Sequence, residues 1–162
     1  MNMSKSNPIP VLMLIIALSV LNYGCSSTKY SHNKSTIQKE KYTIIKTAKK
    51  MLGVRYRYGG TSPRTGFDCS GLVQYTFQAA GIHLPRTTSR QYHASRPVQK
   101  KYLKAGDLVF FKTAISRMVS HVGIYLGKNK FIHAPSSGSK VTISSLKEKY
   151  WRNHYTGAGR IL

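Results

Sequence analysis

Residues 121–134 read HVGIYLGKNKFIHA, two short runs of strand-forming residues around the turn segment Gly127-Lys128-Asn129-Lys130. Val122, Ile124 and Leu126 alternate on the first run, and Ile132 and Ala134 sit on the second, which predicts a hairpin with one apolar face. If those five residues share a face, His121 and His133 share the other. That parity requires an odd number of loop residues, or a bulge, at the turn. Outward from the hairpin, LVFF (108–111), VTIS (141–144) and GRIL (159–162) are further short strand candidates bounded by turn residues. Upstream the texture is helical. Ile37, Ile44, Ile45, Ala48, Met51 and Leu52 recur at helical spacing from about Ser35 or Thr36 to Leu52, and Gly53 stands at the stop position. RYRYGGTSPRTG (55–66) reads as loop, and a second helix is expected from Cys69 to Ala80, closed by Gly81 and Pro85. Helices first and strands afterwards indicate an α+β fold, with N-terminal helices packed on an antiparallel sheet.

The second helix carries chemistry at its start. Asp68 is a good N-cap, which puts Cys69 at the first helical position, where free N–H groups and the helix dipole favour thiolate and lower the thiol pKa. The same N–H groups, with Ser70 beside them, are suited to hold an oxyanion. Cys69, Val73, Phe77 and Ala80 fall on one stripe, so the sulfur belongs to the face turned toward the sheet. A thiol nucleophile needs a base. Of six histidines, His32 lies near the N-terminus, and His83, His93 and His154 fall in polar or connecting segments. His121 and His133 remain, one to act as base and the other to orient it. A zinc ion held by Cys69, His121 and His133 is a weaker alternative, because the paired short spacing of common zinc motifs is missing.

The N-terminus and the composition frame this reading. Lys5 precedes an apolar run from Ile9 to Leu21 that is too short to span a bilayer and suits an export signal. The run ends in LNYGC, with Gly24 before Cys25 as in a bacterial lipoprotein signal, although Asn22 and Tyr23 are unusual there. The expected organisation is a signal at 1–24, lipidation at Cys25 with a polar tether at 25–35, and a folded domain at 36–162. Acylation of Cys25 leaves Cys69 without a partner, and a lone thiol in an oxidising compartment calls for a catalytic reason; a Cys25–Cys69 disulfide is the alternative. The chain holds 26 Lys and Arg against four acids, Glu40, Asp68, Asp107 and Glu148, for a net charge of +22. So few acids exclude paired-carboxylate glycosidases, aspartic dyads, two-metal carboxylate sites and EF-hands. The basic excess suggests nucleic acid, yet no helix-turn-helix, RNA-binding or zinc-finger signature is present.

FDCSG (67–71), GDLVFF (106–111), HVGIY (121–125) and FIHA (131–134), in this order, resemble the NlpC family of bacterial cell-wall cysteine peptidases, which have a papain-like fold. The likeness covers roughly residues 36–162 and is greatest to short lipid-anchored members. It implies Cys69 as nucleophile, His121 as general base and His133 as the residue orienting it. It also matches Tyr56 to a family tyrosine beside the nucleophile, with Arg55 where a proline is common, and LPRTTSRQ (84–91) to a stretch near the substrate groove. Arg86, Thr87 and Gln91 in that stretch serve either substrate or structure, and Asp107 reads as a turn residue. Pro135 stands where Ser or Thr often follows the alanine. The implied activity is amide hydrolysis in peptidoglycan without metal or organic cofactor. The implied setting is a monomer tethered by lipid to the outer membrane, facing the periplasm, with no nucleic-acid partner. Two bonds are candidates, the D,D cross-link and the bond from D-glutamate to the diamino acid. A non-catalytic envelope-binding lipoprotein and a thiol acyltransferase are the rival functions. The charge then reads as attraction to an anionic envelope.

Overall fold

The computed structural model describes residues 34–113 and 118–162. The segment read as an export signal, Cys25, His32 and nearly all of the tether lie outside these residues. Helix α1 (Lys34–Lys50) buries Ile44 and Ala48, and the chain leaves it through a turn at Gly53, whose φ is +81°. The stretch expected as loop instead contains a small antiparallel pair, β1 (Thr61–Ser62) and β2 (Gly66–Phe67), which lies directly before the thiol helix. Helix α2 (Cys69–Gln78) starts where expected and ends two residues earlier than Ala80.

Two short helices were not foreseen, α3 (Thr88–Ala94) and α4 (Lys149–His154). They place His93 and His154 on helices. The strands are β3 (Arg96–Val98), β4 (Leu108–Phe111), β5 (His121–Gly127), β6 (Lys130–His133), β7 (Thr142–Ser145) and β8 (Tyr155–Arg160). They form one sheet in the order β3-β8-β4-β5-β6-β7, with every neighbouring pair antiparallel. The last strand therefore lies earlier than GRIL, and it inserts between β3 and β4. The fold is α+β, as the order of helical and strand textures indicated.

The sheet is apolar on both faces. One face packs Leu108, Phe110, Val122, Ile124 and Ile132 against Ile44, Leu72, Val73 and Phe77 of the helices. On the other, Val109, Phe111, Tyr125, Phe131 and Leu146 gather under Trp151 and Tyr155. Each fully buried ring or aliphatic side chain in such a core contributes about 1.5–3 kcal/mol. The β5–β6 hairpin carries the bulge that parity required. Tyr125 pairs with Phe131 and Gly127 with Lys130, which leaves Leu126 as the extra residue. Lys128 and Asn129, at φ of 50° and 60°, make the two-residue turn. His121 and His133 consequently share the face that Trp151 covers.

Candidate active site

Asp68 organises the start of α2. Its carboxylate accepts from the Gly71 N–H at 2.7 Å, capping the helix, and from the Gly59 N–H at 3.0 Å, holding the preceding loop. Arg86 meets the same carboxylate through two nitrogens, at 3.0 and 2.5 Å, and donates to the Ser70 hydroxyl at 3.0 Å. Burial alone raises the carboxyl pKa, but the Arg86 and Gly71 hydrogen bonds outweigh it and hold the group below the usual carboxylate range. Gly71 is obligatory here, because a Cβ would lie 2.0 Å from the Gly60 carbonyl oxygen. The loop before β1 and the helix can approach so closely only without that side chain.

Cys69 is a free, half-buried thiol at the first position of this helix. Its sulfur lies 3.5 Å from the Thr88 hydroxyl at the start of α3. The structure corrects one expectation. Burial pushes the thiol pKa up, and the hydrogen bonds from Thr88 and from the Val122 and Ser70 backbone only partly offset this. The helix dipole was visible in the sequence, whereas the desolvation was not.

Two cavities meet at the thiol, sharing Tyr56, Cys69 and Ser120. One, of about 410 Å³, runs past Tyr58, Asp68, Arg86 and Thr87. The other, of about 560 Å³, runs past His121, Pro135, Ser136, Tyr150 and Trp151. Cys69 and His121 thus open onto the same space.

Behind His121 stands a chain of hydrogen bonds. Its Nε2 lies 2.9 Å from Nδ1 of His133, and Nε2 of His133 lies 3.1 Å from the Ser144 hydroxyl. Both rings are buried, at 3% and 1% exposure. Trp151 stacks on His121 with centroids 5.4 Å apart and meets His133 edge-on at 4.7 Å. Desolvation pushes His121 down to about 4, and desolvation with the neighbouring imidazole pushes His133 down to about 3. Gly123 permits this packing, since a Cβ there would lie 2.6 Å from the Phe131 ring and 3.3 Å from Cβ of His133.

The remaining expected residues divide clearly. Tyr56 borders both cavities, and burial first, then Cys69 and Asp68, raises its phenol pKa. Ser70 points its hydroxyl at Asp68, so only its backbone N–H is suited to an oxyanion. Arg86 borders the smaller cavity while serving as the partner of Asp68. Gln91 is structural, donating from a buried amide to the Ser70 and Pro85 carbonyls at 3.0 and 2.8 Å. Asp107 is no mere turn residue: it accepts two 2.7 Å bonds from Arg160 and one of 2.7 Å from the Lys104 N–H. His83, His93 and His154 border neither cavity. Among the described residues no three His, Cys, Asp or Glu side chains are placed to hold a metal ion.

Thr88, Ser144 and Trp151 were not singled out from the sequence. Thr88 lies inside LPRTTSRQ, so that stretch carried a signal for it. Ser144 becomes visible only once β7 is registered on β6, opposite Phe131. Trp151, the single tryptophan, sits in a polar stretch without periodicity.

The NlpC/P60 family model matches residues 53–160. The chain is 43% identical over 142 residues to murein DD-endopeptidase MepH of Escherichia coli, covering 86% of this chain and 52% of MepH. It is 42% identical over 160 residues to the "Probable endopeptidase NlpC homolog" of Haemophilus influenzae, covering 98% of this chain and 84% of that protein. The chain thus spans about half the length of MepH and most of the Haemophilus protein. Among solved structures, a Staphylococcus aureus protein described as similar to lipoprotein, NLP/P60 family, superposes with a TM-score of 0.70 at 39% identity, covering 80% of this chain and 42% of its own.

Proposed function

The chain belongs to the NlpC/P60 family, and from that premise we propose that it is a thiol peptidase hydrolysing an amide bond in the stem peptides or cross-links of peptidoglycan. The observation that carries the reading is the joint placement of Cys69 at a capped helix N-terminus and His121 in one cavity, with the far nitrogen of His121 held by His133.

In the proposed mechanism Cys69 is the nucleophile, His121 the acid and base, and His133 the orienting residue. Because Nε2 of His121 is engaged by His133, Nδ1 is the ring nitrogen left to serve the thiol. The thiol proton passes to Nδ1 as sulfur attacks the scissile carbonyl carbon. Backbone N–H groups at the start of α2 face the developing oxyanion. Collapse breaks the C–N bond, and His121 returns the proton to the departing amine. Water then gives a proton to His121 and attacks the thioester, releasing the acid and the thiol. With the thiol pKa raised and the base at about 4, the resting pair is neutral, and proton transfer accompanies attack.

Likeness to MepH, named a DD-endopeptidase, favours the D,D cross-link as the bond cut. The N-terminal pattern, with an apolar run ending at Gly24-Cys25, supports export and lipid anchoring, and in this reading the chain is a monomer on the outer membrane, facing the periplasm. Residues 1–24 contain only Lys5 among charged residues, so the exported chain stays strongly basic and suited to an anionic wall. The deciding experiment digests purified sacculi with the wild type and with Cys69→Ala. Soluble muropeptides should appear only with the wild type, and undiminished release by the variant would refute the thiol mechanism.

A further inference from the structure

Helix α1 turns one face to the core and the other to solvent. At about 100° per residue, Lys39, Tyr42, Lys46, Lys49 and Lys50 fall within one arc of about 100°, nearly opposite the buried Ile44 and Ala48. All five are exposed, Tyr42 at 63%, and the Lys46 ammonium lies 5.4 Å from the centre of the Tyr42 ring. The one acid of the helix, Glu40, is half-buried and falls outside that arc. A groove of about 420 Å³ follows the face past Tyr42, Ile45, Lys46, Lys49 and Lys50. A second, of about 340 Å³, shares Tyr42 and Ile45 and adds Lys41 and Lys104. We propose that this face of α1 docks the domain on the anionic phospholipid surface of the membrane that carries the lipid anchor. This rests on the lipid-anchor reading above.

Two observations favour a bilayer over the wall as the occupant. The first is the length of chain before α1. Eight residues, 26–33, join Cys25 to Lys34. Nine steps of fully extended chain reach no further than about 32 Å, so an acylated Cys25 keeps the start of α1 within that distance of the bilayer. The second is the make-up of the face, in which ammonium groups on long apolar stems surround an exposed tyrosine. Stems and ring suit the boundary between headgroups and hydrocarbon, while the ammonium groups meet phosphate. A wall of glycan and peptide offers carboxylates to the lysines but no apolar layer to the ring. The residues lining the two cavities at Cys69 include none of α1, so this contact does not occupy the space in which the thiol works.

The test needs no substitution. The chain, produced with its N-terminal segment and purified in detergent, is added to preformed vesicles of phosphatidylcholine alone or with one third phosphatidylglycerol. Its lysines are then methylated with formaldehyde and a borane, uncharged reagents that the vesicle charge does not repel. Mass spectrometry gives the rate at each lysine relative to Lys149, which is exposed on α4 beside Trp151 and so belongs to the sheet's other face. On the anionic vesicles Lys39, Lys46, Lys49 and Lys50 should react at least about threefold more slowly than on the neutral ones, and 0.5 M salt should remove most of the difference. Equal relative rates on the two vesicles overturn the docking face. So does protection by purified sacculi without protection by anionic vesicles, which would assign the face to the wall. The same spectra report the mass of the peptide containing Cys25. A Cys25 without acyl chains refutes the anchor reading, and the lysine pattern decides the docking face in either case.

Discussion

The burial of two neutral imidazoles should make the stability of this protein strongly dependent on pH in a mildly acidic window. His121 and His133 are pushed from the usual value near 6.5 down to about 4 and about 3, by desolvation in both cases. In the unfolded chain each regains an ordinary pKa and binds a proton as the pH falls below about 6.5. Between 6.5 and 4 the unfolded state therefore holds more protons than the folded one, and unfolding becomes easier as pH falls. The stabilisation is fully present above the unfolded value and is lost downward through the window. Integrated from pH 7 to pH 5, each histidine removes about 2 kcal/mol, and the pair about 4 kcal/mol. Asp68, held below the usual carboxylate range, titrates beneath this window.

The assay is urea unfolding at pH 7, 6 and 5, followed by fluorescence of Trp151, which stacks on His121 and so reports on this region. His133→Asn provides the internal control. An amide oxygen can still accept from Nε2 of His121, but one titrating group is gone. Its loss between pH 7 and pH 5 should be about half that of the wild type, whatever its stability at pH 7. Equal stability at pH 7 and 5 in the wild type, or equal losses in both proteins, would refute the reasoning.

Other consequences are more local. Gly71→Ala forces a Cβ onto the Gly60 carbonyl at 2.0 Å and should destabilise by about 1–3 kcal/mol, with lower activity because Cys69 moves with the helix; a wild-type melting midpoint would contradict this. Asp68→Ala removes the helix cap and leaves Arg86 without its carboxylate, at an expected cost of about 3 kcal/mol in denaturant unfolding, and an unchanged midpoint would count against the frame described here. Ser144→Ala deletes a hydrogen bond worth about 1 kcal/mol and should lower kcat about fivefold with little change in KM, whereas Ser144→Thr should restore it. Alkylation of resting Cys69 by iodoacetamide should keep accelerating above the ordinary thiol range, and a rate already on plateau at pH 6 would mean that a thiolate is present at rest.

What the sequence reveals here follows the reach of each signal. The bounds of β4 and β5, and the start of α2, were legible because alternation and an Asp cap act within a few residues. The bulge at Leu126 was legible as a parity requirement, because two histidines and five apolar residues had to sort onto two faces. Helices α3 and α4 were not, since TSRQYHA and KYWRNH show no apolar stripe and owe their shape to what they pack against. Strand β8 reads poorly as TGAG because Gly159 answers a distant need. A Cβ at Gly159 would lie 1.9 Å from the Ser95 hydroxyl. The thiol helix and the two candidate histidines were singled out by chemistry and spacing. Ser144 and Trp151, and the sign of the Cys69 shift, depend on tertiary register and burial, which no local window contains.

The scarcity of acids and the neutral site belong to one arrangement. Asp68 holds Arg86 and the start of α2, Asp107 holds Arg160 and the turn before β4, and Glu148 accepts the Ser145 N–H at 2.6 Å ahead of α4. These three acids brace backbone, and none stands behind His121. The consequence is mechanistic. A carboxylate in place of His133 would stabilise imidazolium and raise the pKa of His121. With His133 and then Ser144 behind it, His121 stays neutral and keeps a free lone pair for the thiol. Introducing His133→Asp should therefore raise the pKa of His121 from about 4, an effect visible in imidazole NMR titration. If His121 still titrated near 4 in that variant, the hydrogen-bond chain would not be what sets its state.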